Sequence, residues 1–235
     1  MTELSFLDHA GFALAFDPQL KLDEAQVQAL TGLLLGEREV KLNSLGGRNC
    51  VTIADIDGVG RVVVRQYMRG GFLRHFIQSR YLRCGKTRGE HEYRMLEAAR
   101  AAGVNVPDPL GFASCGGLLY KAWLFTREIP CTRSIAQCAE ADDDGLALLM
   151  DSVIAQVSLL IRSRIFHVDL HPGNVLADEQ GEVFLLDFDK ASYFKGGLNQ
   201  LRDLYLCRWR RAVIKHELPE VLAELMSHGL RLSFE

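Results

Sequence analysis

The strongest constraint on the fold of this chain is the stretch His167-Val168-Asp169-Leu170-His171-Pro172-Gly173-Asn174. Pro172 and Gly173 forbid a continuous helix, so the stretch has to be a loop. Two short β-rich runs follow, over 174–177 and 183–186, with Asp178-Glu179-Gln180-Gly181 as their turn. The second run ends on Asp187-Phe188-Asp189. A hairpin this short brings Asp187 back beside the loop that carries Asp169 and Asn174. Any fold for the sequence must hold this compact set of side-chain oxygens together.

The rest of the chain changes character near its middle. The runs 51–56 and 61–67 are β-rich and are joined by Asp57-Gly58-Val59-Gly60, a hairpin signal, because Asp-Gly tolerates the positive φ of tight turns. Residues 87–102 predict a helix with Tyr93, Leu96 and Arg100 at helical spacing and Gly103 as its stop. Residues 104–109 read as extended, since they hold two prolines. The aromatic, apolar run 117–129 suits one or two strands. Residues 1–40 read as a polar lead-in with a short amphipathic helix between Leu20 and Leu35.

After Pro130 the pattern is helical. Leu146, Leu149, Met150, Val153, Val157, Leu160 and Ile161 form one stripe. Asp142, Asp143 and Asp144 fit the positive start of that helix better than a metal site, the alternative reading. From about residue 199 the chain is helical and basic. The expected fold is therefore α+β, with a β-rich N-terminal half, a crossing near 126–130 and a mostly helical C-terminal half.

Of the 235 residues 48% are hydrophobic and 24% charged, which excludes a disordered tail or a small disulfide scaffold. Six scattered cysteines (Cys50, Cys84, Cys115, Cys131, Cys138 and Cys207) show no CxxC spacing, and read as buried or half-buried thiols in a reducing cytoplasm. Glu3 and Asp8 stand where an export signal needs basic residues and an apolar run, so no export is expected. No apolar run approaches the roughly 20 residues of a membrane span.

The oxygen set points to a chemistry. Phosphoryl transfer from a nucleotide needs one carboxylate to orient the acceptor hydroxyl. It also needs an amide oxygen and a second carboxylate to hold Mg²⁺ against the phosphates. Asp169, Asn174 and Asp187 fill these roles, and H-x-D-L-x-x-x-N matches the kinase catalytic-loop pattern. Upstream parts occur in altered form. Gly46 and Gly47 stand where a phosphate-covering loop belongs, though a plain turn explains them equally well. Val62-Val63-Val64-Arg65 matches the strand that carries the phosphate-contacting lysine, with arginine in its place. Glu92, on the following helix, is the natural partner of Arg65. A surface glutamate with no role is its alternative.

Beyond these motifs, the runs Arg65-Gln66-Tyr67-Met68-Arg69-Gly70-Gly71-Phe72, Arg80-Tyr81-Leu82 and Thr87-Arg88 ahead of Glu92-Tyr93 carry a likeness to a known family. Gly117-Leu118-Leu119-Tyr120 and Thr126-Arg127-Glu128-Ile129-Pro130 continue it, as do His167-Val168-Asp169 and Asp187-Phe188-Asp189. Over about residues 45–190 the chain resembles the lipopolysaccharide core kinases, the family that includes the kinases of 3-deoxy-D-manno-octulosonic acid (Kdo).

The resemblance implies a protein-kinase-like two-lobe fold, with an N-terminal lobe over 1–125 and a C-terminal lobe over 126–235. It implies ATP-dependent phosphorylation of a Kdo hydroxyl, O-4 being the expected one, on a Kdo–lipid A precursor. The enzyme would then work from the cytoplasm as a peripheral protein on the inner membrane. Asp169 becomes the catalytic base, Asn174 and Asp187 the Mg²⁺ ligands, and Arg65 with Glu92 the phosphate-positioning pair. His167 becomes a structural residue of the loop. Asp189 replaces a kinase glycine, so a protein-kinase-style loop flip is not expected; no Ala-Pro-Glu motif follows Asp187, so a protein substrate is not expected. A heptose kinase of the same core, a small-molecule phosphotransferase and a non-catalytic pseudokinase are the competing readings.

The net charge of −3 conceals an asymmetry. Residues 61–88 hold eight of the 27 basic residues and no acid, leaving 19 basic against 30 acidic elsewhere, a remainder of −11. Phe72, Leu73, Phe76, Ile77, Tyr81 and Leu82 are interleaved with these cations. A basic and apolar segment suits an anionic membrane surface or an anionic lipid-borne acceptor, with Arg69, Arg74, Arg80 and Arg83 as its contacts. A solvated loop whose aromatics pack on the sheet is the plainer alternative. Nucleic acid is not an expected partner, because the chain is acidic and carries no such motif.

Overall fold

The computed structural model describes residues 4–35, 50–68, 80–141 and 144–234. The chain divides into two compact units, Met1–Arg94 with Asp108–Glu128, and Met95–Pro107 with Ile129–Glu235.

The first unit is built on one antiparallel sheet. Its strands are β1 (Ser5–His9), β2 (Phe12–Phe16), β3 (Cys50–Ile56), β4 (Gly60–Gln66), β5 (Tyr81–Leu82), β6 (Pro109–Gly116) and β7 (Leu119–Arg127). Their order is β1-β2-β6-β7-β4-β3, with β5 also paired to β7. In the central β7, Ala122 to Thr126 are all buried, which accounts for its unbroken apolar run. On β4 the alternation is clean: Val62 and Val64 point into the core and leave Arg61 and Arg65 on the other face. The β3–β4 hairpin turns at Asp57-Gly58 as expected, with Gly58 at φ 72°.

The lead-in expected over residues 1–40 is corrected in its first half. Residues 5–16 form the β1–β2 hairpin, whose two turn residues, Ala10 (φ 49°) and Gly11 (φ 81°), both adopt the left-handed region that a tight two-residue turn requires. Phe12, Leu14 and Phe16 enter the core, and β2 pairs with β6 from Ala13↔Ser114 to Phe16↔Gly111. Gly111 makes this junction possible, because a Cβ there would lie 2.3 Å from the Ala15 carbonyl oxygen. The expected helix is α1 (Glu24–Leu34), closed at its start by a reciprocal capping box between Asp23 and Gln26. Its Val27, Leu30, Leu33 and Leu34 join the same core.

Helix α2 (Arg88–Ala101) meets its expectation, with Gly103 at φ 83° and the Val104 amide bonded to the Ala99 carbonyl at 3.0 Å. The second unit continues with β8 (Arg133–Ser134), α3 (Ile135–Glu140), α4 (Leu146–Arg162) and β9 (Ile165–Phe166). A 3-10 turn (Pro172–Asn174) leads into β10 (Val175–Ala177) and β11 (Val183–Leu185), then β12 (Ser192–Tyr193), α5 (Leu198–Lys215) and α6 (Val221–Leu232). Met150, Val153, Val157, Leu160 and Ile161 of α4 are buried as the stripe predicts. Trp209 pins α5 to α6 by donating its indole N–H to the Leu222 carbonyl at 2.9 Å.

Two further expectations are revised. Helix α4 is capped by Gly145 with no side-chain bond and has no acid in its first turn, so Asp144 does not cap it. Asp142 and Asp143 lie outside the described residues. Of the cysteines expected to be buried or half-buried, Cys84, Cys131 and Cys207 are exposed free thiols, since each falls on a loop or a solvent-facing helix position. Among the described residues no helix is long and apolar enough to cross a membrane.

Candidate active site

In the first unit, Arg65 at the end of β4 pairs with Glu92 of α2. Glu92 is 1% exposed and Arg65 is 14% exposed, so the pair is withdrawn from water. Tyr67 donates its hydroxyl to the same Glu92 oxygen at 2.5 Å. Arg65 and Tyr67 are two residues apart in extended chain and therefore share a side, with the Arg65 guanidinium 5.0 Å from the Tyr67 ring centroid. Burial and the Glu92 carboxylate push the Tyr67 hydroxyl well above its usual range, which keeps it protonated as a donor. The result is a fixed cation whose planar head is held by a buried carboxylate.

In the second unit, the loop after β9 is fastened by its first residue. His167 is fully buried, and its Nε2–H donates to the Leu186 carbonyl at 2.7 Å. The His167 ring meets Phe188 edge-on at 4.5 Å, and its backbone N–H donates to the Tyr205 hydroxyl at 2.8 Å. Tyr205 in turn donates to the Ile165 carbonyl, and Arg208 Nη1 donates to the Val168 carbonyl at 2.7 Å. Helix α5 thus clamps the backbone on both sides of the loop's entry. Asp169 then stands half-exposed, with Lys190 Nζ 2.7 Å from its Oδ2.

Asn174 and Asp187 are brought to the loop by the β10–β11 hairpin. Asn174 Nδ2 donates to the Asp169 carbonyl at 3.0 Å, which engages the donor end of the amide and leaves its oxygen as an acceptor. The Leu186 amide donates to the Asn174 carbonyl at 2.9 Å and ties the far strand to the same residue. One residue on, Asp187 sits at φ 66°, a left-handed conformation that turns the chain sharply at the candidate ligand. No group of three His, Cys, Asp or Glu side chains poised for a metal occurs among the described residues. Such a cage suits zinc or calcium. Mg²⁺ needs only one or two protein oxygens when phosphates complete its shell, and an amide oxygen with a carboxylate fits that demand.

The two histidines of the loop make stability depend on pH. Burial lowers the pKa of His167 from its ordinary 6.5, opposed by its bond to Leu186 and by the charges of Asp187 and Asp169. Burial also lowers that of His171, helped by His216, whose ring lies 5.9 Å away, and by His167. The unfolded chain takes these protons near pH 6.5, while the native protein resists them. Stability is therefore full above that value and falls as the pH drops from 6.5 towards the native pKa values. Urea midpoints between pH 7.5 and 5.0 should fall on acidification, and His167→Gln should flatten that slope. An unchanged slope in the variant would exclude His167 as a contributor.

The remaining expected residues divide. Gly46, Gly47, Arg69 and Arg74 lie outside the described residues. Arg80 and Arg83 are exposed, and the Arg83 guanidinium lies 5.4 Å from the Tyr120 ring centroid. Much of the basic segment is engaged within the unit: Arg61 with Glu128, Arg65 with Glu92, and Arg88 over the rings of Tyr67 and Tyr81. Sequence reading missed the parts played by Tyr67, Lys190, Tyr205 and Arg208. Only Tyr67 carried a signal, being two residues beyond Arg65 on the same strand side.

The strand-borne cation paired to a helix carboxylate in the first unit, and the Asp, Asn and Asp on a loop and hairpin in the second, suit a phosphotransferase that acts on an alcohol, the class shown by the family to which the chain belongs. The model of the lipopolysaccharide kinase (Kdo/WaaP) family matches residues 22–219, and the chain belongs to that family. A kinase of this family has ATP as its co-substrate. Similar proteins include the 3-deoxy-D-manno-octulosonic acid kinase of Xylella fastidiosa, 27% identical over 212 residues that cover 88% of this chain and 82% of that protein. The protein of the same name from Vibrio cholerae serotype O1 is 33% identical over 151 residues, covering 59% and 63%. That of Xanthomonas oryzae pv. oryzae is 29% identical over 208 residues, covering 86% and 80%.

Proposed function

We propose that this kinase transfers the γ-phosphoryl group of ATP to a hydroxyl of Kdo, the O-4 hydroxyl, on a Kdo–lipid A precursor. The observation that carries the reading is the family match over residues 22–219 with the Asp169, Asn174 and Asp187 set intact inside it. Asp169 orients the acceptor hydroxyl and takes its proton as the new O–P bond forms and the bond to the ADP oxygen breaks. Arg65, held flat by Glu92 and Tyr67, contacts phosphate oxygens of the nucleotide. Asn174 through its amide oxygen and Asp187 through its carboxylate would hold Mg²⁺, which would supply positive charge to offset that of the phosphates.

A lipid-borne acceptor places the reaction at the cytoplasmic face of the inner membrane, with the chain a peripheral protein there. Arg69, Arg74, Arg80 and Arg83 are the residues assigned to the acceptor or the anionic surface, and the exposure of Arg80 and Arg83 supports this. Labelled ATP offered with Kdo–lipid A, with heptosylated core and with a free aminoglycoside tests the acceptor. Transfer to the first alone is expected, with one added phosphate localised to Kdo O-4 by mass spectrometry. Label only on the heptose or the aminoglycoside would overturn the reading, as would Mg²⁺-dependent ATP binding without any transfer.

A further inference from the structure

Lys190 stands three residues beyond Asp187 and is not among the residues assigned to nucleotide, metal or acceptor. Its segment is anchored from within, because Phe188 is fully buried and the Ala191 amide closes a turn on the Phe188 carbonyl at 2.9 Å. The Lys190 side chain itself is 59% exposed, yet its ammonium lies 2.7 Å from Asp169 Oδ2. Among the described residues it is the one hydrogen-bonding and ion-pair partner of that carboxylate. The loop's other polar contacts hold its backbone: Asn174 on the Asp169 carbonyl, Arg208 on the Val168 carbonyl.

The pairing is hard to explain as a device for stability. An ion pair this open contributes about 0–1 kcal/mol to a fold. It makes sense as a device for chemistry. A catalytic carboxylate has to approach a nucleotide's terminal phosphate, and two anions repel each other. Between Asp169 and Asn174 the loop supplies Leu170, His171, Pro172 and Gly173, with no fixed positive charge to offset this. The carboxylate also has two oxygens, of which only one can receive the acceptor's proton in a defined direction.

We propose that Lys190 is a positioning residue for the transfer: its ammonium holds Oδ2 of Asp169, so that Oδ1 faces the acceptor hydroxyl and the carboxylate's charge is offset beside the phosphoryl group. The proton still passes from the hydroxyl to Asp169, and Lys190 keeps its own throughout. The inference rests on the assignment of Asp169 as the base and adds the residue that aims it.

The test is steady-state transfer of label from ATP to Kdo–lipid A by full-length Lys190→Met and Lys190→Arg proteins, with Asp169→Asn alongside. Lys190→Met keeps the chain's bulk and loses its charge; kcat should fall about 10- to 100-fold, with KM for ATP and the thermal midpoint unchanged. Lys190→Arg, which restores a cation, should recover most of the loss. Native kcat in Lys190→Met overturns the proposal, and so does a loss that appears only in KM for the acceptor, which would make Lys190 a substrate contact. If Asp169→Asn loses transfer while Lys190→Met keeps it, the base stands and the positioning role falls. If Asp169→Asn transfers at the native rate, the reading of the site itself falls.

Discussion

Asp169→Asn is expected to lower turnover about 10²- to 10⁴-fold, the range set by removing a general base from a reaction that needs one. The substitution preserves size and one hydrogen-bonding oxygen, so a loss cannot be charged to a hole in the structure. Nor should it unfold the protein, because the Asp169 side chain is half-exposed and its pairing with the exposed Lys190 contributes about 0–1 kcal/mol. The measurement is transfer of labelled phosphate to the acceptor, read beside a thermal melt. A native melt with turnover within about twofold of the unsubstituted protein would remove Asp169 from the mechanism.

Glu92→Ala is the second substitution with a large expected effect, and it acts first on stability. It removes the buried carboxylate paired with Arg65, which is only 14% exposed, and takes away the acceptor of the buried Tyr67 hydroxyl. Removing one member of a buried pair costs about 3–5 kcal/mol, since the buried cation loses the carboxylate set against it. Against a total stability of about 5–15 kcal/mol, that is a large fraction. Urea unfolding measures it. Glu92→Gln should lose less, because the amide oxygen still accepts from Tyr67. In both variants the affinity for ATP should also weaken, as Arg65 loses what orients it. A Glu92→Ala protein within 1 kcal/mol of the native one would show that the pair does not support the fold.

The two variants bear on what could be read from residue order alone. The loop and hairpin that carry Asp169, Asn174 and Asp187 were legible because local punctuation fixes them: Pro172 and Gly173 make the loop, and Asp178 to Gly181 make the turn that returns Asp187. Arg65 and Glu92 were legible for a related reason, since the strand and helix that carry them have strong periods. The β1–β2 hairpin was not, because Ala10 occupies a turn position that usually advertises itself with glycine or asparagine. The open faces of β1 added no apolar alternation to betray it. Lys190 was hidden differently. A single lysine after a strand is the commonest kind of surface residue, and only the turn at Asp187 and the burial of Phe188 bring its ammonium to Asp169. Contacts created by a bend in three dimensions leave no period in one.

The way the two units share the chain bears on how the protein is made. Neither unit is one continuous stretch: the polypeptide passes from one to the other after Arg94, Pro107 and Glu128. Strand β2, complete by residue 16, finds its partner β6 only beyond residue 109, and β7 must follow before β4 is paired on both edges. During synthesis the first hundred residues therefore wait with β2 and β4 each lacking a neighbour. Their exposed edges and apolar faces make that interval the time of greatest risk of aggregation. Residues 109–127 act as the seam that closes the sheet, so conditions that slow the emerging chain before residue 127 should lower the yield of folded protein more than the same delay after it.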